Sequence, residues 1–92
     1  MDTIQAAVLR VKLSHLDNWN TKRREIASKY DKFFEKHLAF IKTPKHFKGR
    51  ESVYHLYVIR VEQRDKLLEH LTKNNIQALI HYPIPLHLQK AY

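Results

Sequence analysis

The fold is decided by one stretch in the second half of the chain, Val53-Tyr54-His55-Leu56-Tyr57-Val58-Ile59-Arg60-Val61. Alternate positions of this stretch form two faces, and both faces are mostly apolar. Branched and aromatic side chains favour extended backbone because they pack well on a pleated surface. A strand that is apolar on both faces is typical of the middle of a covered sheet. The stretch therefore predicts a central strand that is packed on both sides.

Two shorter segments also have strand character. Residues 38–43 predict a short strand that ends at Pro44, and residues 76–80 predict a third strand. Between the first two strands lies a polar loop, residues 45–52, which contains the only glycine of the chain. These segments predict a small sheet.

The N-terminal part of the chain predicts two helices. Asp2 can accept a hydrogen bond from the backbone N–H of Gln5, whose side chain can reach back as in a capping box. Apolar residues then recur at helical spacing in two stripes, Ile4, Ala7, Val8 and Val11, followed by Leu16, Trp19, Ile26, Ala27, Tyr30, Phe33 and Phe34. The phase changes around residues 14–17, where we expect a kink or break, and the second helix is expected to end near His37. Its aromatic side chains exceed what one small sheet can cover, so a second chain is expected to cover the rest.

A third helix is predicted over residues 63–74, with Leu67, Leu68 and Leu71 facing inward. Asn74-Asn75 can take the left-handed conformation that closes a helix. The predicted order is helix, helix, strand, strand, helix, strand. This order indicates an α+β fold built as a two-layer unit.

Length and charge restrict the function. The chain has 92 residues, enough for one small domain at most. Its formal charge of +8 favours an anionic partner, unless the charge lies on a solvated surface that faces a missing acidic partner. The absence of cysteine excludes disulfides and thiol chemistry. With neither a signal peptide nor an apolar run long enough to span a bilayer, a cytoplasmic location without membrane contact is expected.

The residues alone do not predict an enzyme. The 7 histidines include no helical pair with metal-ligand spacing, so no metal site is expected. The serines lack a nucleophile-elbow context, and the carboxylates are scattered along helices. One basic loop, Lys42, Lys45, His46, Lys48 and Arg50 with Phe47, could contact phosphates or could be a solvated hairpin loop. Because no nucleic-acid recognition motif accompanies it, nucleic acid is not expected as a partner.

The segment His81-Tyr82-Pro83-Ile84-Pro85-Leu86-His87-Leu88-Gln89 has the composition of a binding loop. Its prolines stiffen the backbone and hold Tyr82 and His87 at defined angles. Imidazole and phenol groups can bind the hydroxyls and phosphates of a polar ligand, although Tyr82 and Leu86 could instead simply pack. Three residues follow the loop, and helical periodicity is already running by Ile4. We therefore expect the chain to be a piece of a larger protein.

Three motifs resemble the DegT/DnrJ/StrS family of nucleotide-sugar aminotransferases. The first is similar to the helices that join the two domains of that family, Met1-Asp2-Thr3-Ile4-Gln5-Ala6-Ala7-Val8-Leu9 with Lys12-Leu13, Leu16-Asp17-Asn18-Trp19-Asn20 and Arg23-Arg24. The second resembles a strand of the family's small domain, Val53-Tyr54-His55-Leu56-Tyr57-Val58-Ile59-Arg60. The third resembles its substrate loop, His81-Tyr82-Pro83-Ile84-Pro85-Leu86-His87.

The resemblance implies part of a pyridoxal-phosphate enzyme with the aspartate-aminotransferase fold. Such enzymes are homodimers that pass an amino group, usually from glutamate, to a keto sugar on a nucleoside diphosphate. The products enter polysaccharides, lipopolysaccharide or antibiotics. The division implied is inter-domain and dimer-facing helices over residues 1–37 and part of the C-terminal small domain over residues 38–92.

The resemblance also assigns residues. His81, Tyr82 and His87 are expected to line the sugar-nucleotide pocket. The family's Schiff-base lysine belongs to a segment upstream of the matched motifs, so no residue here is expected to be catalytic or to bind the cofactor, and the chain alone is expected to be inactive. The alternative is a stand-alone basic module that binds nucleic acid or assembles with another protein.

Overall fold

The computed structural model describes residues 2–92 and is mostly helical. It contains three α-helices and one short 3-10 helix: α1 Thr3–Leu13, α2 Leu16–His37, α3 Arg64–Lys73 and the 3-10 turn Leu86–Leu88. The predicted helices are confirmed. None of these helices is long and apolar enough to cross a membrane.

The first helix begins as the sequence predicts. The Asp2 carboxylate accepts a hydrogen bond from the Ile4 N–H at 3.2 Å, and the Gln5 side chain accepts one from the Asp2 N–H at 3.4 Å. The predicted capping box is therefore present.

The predicted break between the first two helices is also confirmed. Ser14 and His15 separate α1 from α2. The Ser14 hydroxyl donates to the Val11 carbonyl at 2.7 Å, and the His15 N–H donates to the Lys12 carbonyl at 3.0 Å. These bonds close the last turn of α1 and allow the chain to restart as α2, which ends at His37 as predicted.

The packed face of α2 differs from its most apolar face. Ala27, at 2% exposure, is the only buried hydrophobic residue among those described. Half-buried positions continue from it at helical spacing, namely Asn20, Arg24, Asp31 and Phe34. The neighbouring aromatic and aliphatic stripe is exposed instead: Trp19, Ile26, Tyr30 and Phe33. The helix thus packs on a mixed polar face and leaves its most apolar side chains uncovered.

The three predicted strands are not formed within residues 2–92, and the predicted two-layer sheet is not confirmed. One antiparallel pair is present, in which Lys42 and Arg60 exchange backbone hydrogen bonds of 3.0 and 2.9 Å. Tyr54 has a φ of +47°, a left-handed conformation that interrupts extended backbone. Leu56 and Val58 are exposed, so the stretch lacks the neighbours that a central strand needs.

The chain divides into two compact units, one ending at Val61 and the other comprising Glu62–Tyr92. In the second unit, Leu67, Leu68 and Leu71 on α3 are half-buried. The chain leaves α3 through Asn75, which has a φ of +59°, and the Ile76 N–H then donates to the Leu71 carbonyl at 2.9 Å. The predicted left-handed closure is confirmed at Asn75. The predicted division between residues 37 and 38 stays a prediction.

Candidate functional site

The predicted substrate loop lies in the second unit and presents its polar side chains to solvent. His81, Tyr82 and His87 are all exposed, Tyr82 to 79%. The rings of His81 and Tyr82 meet edge to face, with 5.7 Å between their centroids. Their exposed N–H and O–H groups can therefore donate to an incoming ligand.

The prolines explain the local shape of this loop. Pro85 has φ −56° and ψ 146°, an extended conformation that the ring stabilises. Its carbonyl then accepts a hydrogen bond from the Leu88 N–H at 2.9 Å, which closes the 3-10 turn that carries His87. Among the described contacts, no hydrogen bond or ring contact joins His87 to His81 or Tyr82. Within the loop, His87 is therefore separate from the His81–Tyr82 pair.

A second group of polar side chains lies in the first unit and is centred on Asp31. The Tyr57 hydroxyl donates to Asp31 Oδ1 at 2.5 Å. His46 Nε2 lies 2.9 Å from Asp31 Oδ2, and the Tyr54 hydroxyl lies 3.3 Å from His46 Nδ1. Asp31 therefore links α2 to both the basic loop and the segment that follows it. We call these four residues the Asp31 network.

The two tyrosines of the network are held as neutral phenols. Burial raises the pKa of Tyr57 above its ordinary value, and the hydrogen bond to Asp31 and the charge of that carboxylate raise it further. Burial also raises the pKa of Tyr54, with a smaller contribution from Asp31. Both hydroxyls consequently act as hydrogen-bond donors rather than as nucleophiles.

An open cleft of about 320 Å³ lies beside the network, and we call it the α2 cleft. It is lined by basic, acidic and hydroxyl side chains: Arg24, Ser28, Asp31, His46, Arg50, Glu51, Ser52 and Tyr54. Arg24 Nη1 and Glu51 Oε2 approach to 3.8 Å across it. Such a lining can bind a small polar ligand, because donors and acceptors converge from two segments of the chain.

Sequence reasoning identified the basic loop but missed Asp31. The signal was present, because Asp31 lies four residues after Ala27 and three before Phe34, on one face of the same helix. A carboxylate on a packed face needs hydrogen-bond donors to offset its lost hydration. That requirement points to polar partners, although it does not say which ones.

The residues described here do not fit a metal or the implied cofactor. No group of three or more potential metal ligands is found in residues 2–92. Every lysine is exposed, whereas an imine-forming lysine is activated by a desolvated site. The single glycine, Gly49, also excludes a glycine-rich phosphate loop in this segment. No step of a cofactor reaction is therefore assigned to these residues.

Comparisons with known proteins agree with the sequence motifs. The chain is 48% identical over 92 residues to the erythromycin biosynthesis sensory transduction protein EryC1 of Saccharopolyspora erythraea. It is 47% identical to a dTDP-3-amino-3,6-dideoxy-alpha-D-galactopyranose transaminase of Aneurinibacillus thermoaerophilus, again over 92 residues. It is 42% identical over 92 residues to a dTDP-3-amino-3,4,6-trideoxy-alpha-D-glucose transaminase of Streptomyces venezuelae.

These alignments cover 100% of the chain but only 24 to 25% of each relative. The chain thus spans about a quarter of the length of the relatives it matches. The model of the DegT/DnrJ/EryC1/StrS aminotransferase family, whose members depend on pyridoxal phosphate, matches residues 1–92. The chain belongs to the DegT/DnrJ/EryC1/StrS aminotransferase family.

Proposed function

We propose that residues 1–92 work as part of a longer aminotransferase that passes an amino group, from glutamate, to a keto sugar on a nucleoside diphosphate. Family membership supports the reaction class, and two relatives are named as transaminases of dTDP-linked sugars. Pyridoxal phosphate would supply the electron sink for the transfer. Residues outside this segment would hold it, because the residues described here do not fit it.

We assign substrate binding to His81, Tyr82 and His87. The observation that carries this assignment is the exposure of all three side chains on a proline-stiffened loop. Imidazole N–H and phenol O–H groups are donors suited to sugar hydroxyls and phosphate oxygens. The loop would thus orient the sugar nucleotide while the chemistry takes place on residues from elsewhere. Residues 1–92 alone would be inactive.

The uncovered apolar surface supports a role inside a larger assembly. The exposed stripe of α2, Trp19, Ile26, Tyr30 and Phe33, would be covered by the rest of the polypeptide or by the second subunit of a homodimer. Residues 53–61 and 76–80 would become strands of an α+β small domain once neighbouring strands pair with them. A cytoplasmic location is part of the same proposal.

The substrate assignment is tested in the complete polypeptide that carries this segment. Tyr82→Phe and His87→Ala each remove one donor, and each is expected to raise the KM for the keto-sugar nucleotide about tenfold. The KM for glutamate should stay within about twofold, because the loop is assigned to the sugar substrate alone. Steady-state kinetics with each substrate varied in turn gives both values.

Two matched controls accompany these variants. Tyr92→Phe removes a hydroxyl from an equally exposed tyrosine, and His70→Ala removes an imidazole from the exposed side of α3. Both should leave the two KM values unchanged. If Tyr82→Phe and His87→Ala behave like these controls, the loop does not bind the substrate.

A further inference from the structure

The basic loop contributes to the α2 cleft selectively. His46 and Arg50 line the cleft, whereas Lys42, Lys45 and Lys48 do not. A third basic group, Arg24, enters from α2, and hydroxyls come from Ser28, Ser52 and Tyr54. The sequence showed a run of positive charge, but the structure gathers only part of it into a concave site.

The two carboxylates of the cleft differ in their availability. Both oxygens of Asp31 are engaged, by the Tyr57 hydroxyl and by His46. Glu51 is a loose partner, because its side chain is 83% exposed and lies 3.8 Å from Arg24. Exposed ion pairs of this kind are weak, so another anion can replace Glu51.

Arg50 is the freer of the two arginines in the cleft. Within residues 2–92 it forms no salt bridge, whereas Arg24 is already close to Glu51. A guanidinium group binds planar carboxylates and phosphate or sulfate oxygens through paired hydrogen bonds. We propose that the α2 cleft binds a small oxyanion group through Arg24 and Arg50, and that protonation of His46 strengthens this binding.

The role of His46 follows from its two hydrogen bonds. In the neutral tautomer that Asp31 requires, Nε2–H donates to Asp31, and Nδ1 accepts from the Tyr54 hydroxyl. Protonation adds a hydrogen to Nδ1, which then donates to the Tyr54 oxygen. The Tyr54 hydrogen is released from this bond and can turn towards a ligand in the cleft. One proton therefore adds both a charge and a hydroxyl donor.

The charged groups that face His46 in the cleft are Asp31, Glu51, Arg24 and Arg50. A bound oxyanion and a protonated His46 attract each other, so each is expected to favour the other. Binding should therefore be accompanied by proton uptake.

The test uses sulfate as the probe, because sulfate remains a dianion at every pH of the experiment. The protein is the complete polypeptide loaded with pyridoxal phosphate, so that the cofactor site is filled. Isothermal titration calorimetry should show sulfate binding that tightens roughly fivefold between about pH 8 and pH 5.5, because one added charge acts at short range. Arg50→Gln should weaken binding about tenfold. Lys48→Gln, in the same loop but outside the cleft, should leave it unchanged. His46→Gln should abolish the pH dependence.

Each other outcome overturns the proposal. Undetectable sulfate binding would do so, and so would equal losses in Arg50→Gln and Lys48→Gln, which indicate an extended basic surface of the kind that binds nucleic acid. Retention of the pH dependence in His46→Gln would remove the role of that residue. Transamination is expected to persist in all these variants, so failure here leaves the proposed function untouched.

Discussion

At the scale of single residues, Tyr57 sets an alkaline limit to stability. Its pKa is raised in the folded chain by burial and by Asp31, whereas an unfolded tyrosine loses its proton near pH 10. Above about pH 10 the unfolded chain therefore holds fewer protons than the folded one, and the free energy of unfolding falls as pH rises. Below that pH the contribution is fully present.

We predict that Tyr57→Phe makes this alkaline decline shallower. The variant should also lose about 1 kcal/mol of stability near neutral pH, because Asp31 keeps its charge but loses a donor. Urea unfolding of the complete polypeptide at pH 7, 9 and 11 measures both effects. Tyr92→Phe is the control, since Tyr92 is 84% exposed. An unchanged slope in Tyr57→Phe would show that Tyr57 titrates as an ordinary tyrosine.

At the scale of elements, α1 depends on its N-terminal cap. It has no buried residue, so local hydrogen bonds contribute more to its stability than packing does. Asp2→Ala is expected to cost about 1 kcal/mol of helix stability, whereas Asp2→Asn retains an acceptor and should cost much less. Hydrogen exchange at the Ile4 and Gln5 amides reports this directly. Equal acceleration of exchange in the two variants would contradict a capping role.

The elements also show how far the sequence predicts the fold. Helix ends depend on nearby residues. For that reason the sequence correctly predicted the cap at Asp2, the break at Ser14 and the closure at Asn75. Strands depend on partners that are distant in sequence, so the apolar pattern of residues 53–61 did not ensure a sheet. For the candidate site, composition predicted a binding loop with His81, Tyr82 and His87, and their role in binding stays a prediction. The Asp31 network was not predicted, because its members lie up to 26 residues apart in the chain.

At the scale of the whole molecule, the described residues bury little apolar surface. Large apolar side chains from α1, α2 and the 3-10 turn are exposed, including Ile4, Trp19, Phe33 and Leu86. Hydrophobic burial at about 25 cal/mol per Å² is the main favourable term in folding, so residues 1–92 by themselves lack much of it. Under the proposed function, a longer polypeptide would supply partners for these side chains.

We predict that residues 1–92 produced alone unfold over a broad temperature range and bind the dye ANS, as loosely packed states do. The complete polypeptide should unfold sharply and bind little dye. Circular dichroism for the thermal transition and fluorescence for the dye make the comparison. A sharp, dye-free transition of residues 1–92 would show that this segment is an autonomous folding unit.

The Lys42–Arg60 pair has a practical consequence for labelling. The pair joins the two ends of the loop formed by residues 43–59. Within this loop, His46 and Tyr54 are held by the hydrogen bonds of the Asp31 network. At the tip of the loop, Gly49 has a φ of +77° and open space around it. Doubling a loop adds only about 0.6 kcal/mol of closure entropy. A short epitope or fluorophore-binding peptide inserted after Lys48 should therefore leave the two ends of this loop in place and provide an optical label on this part of the chain.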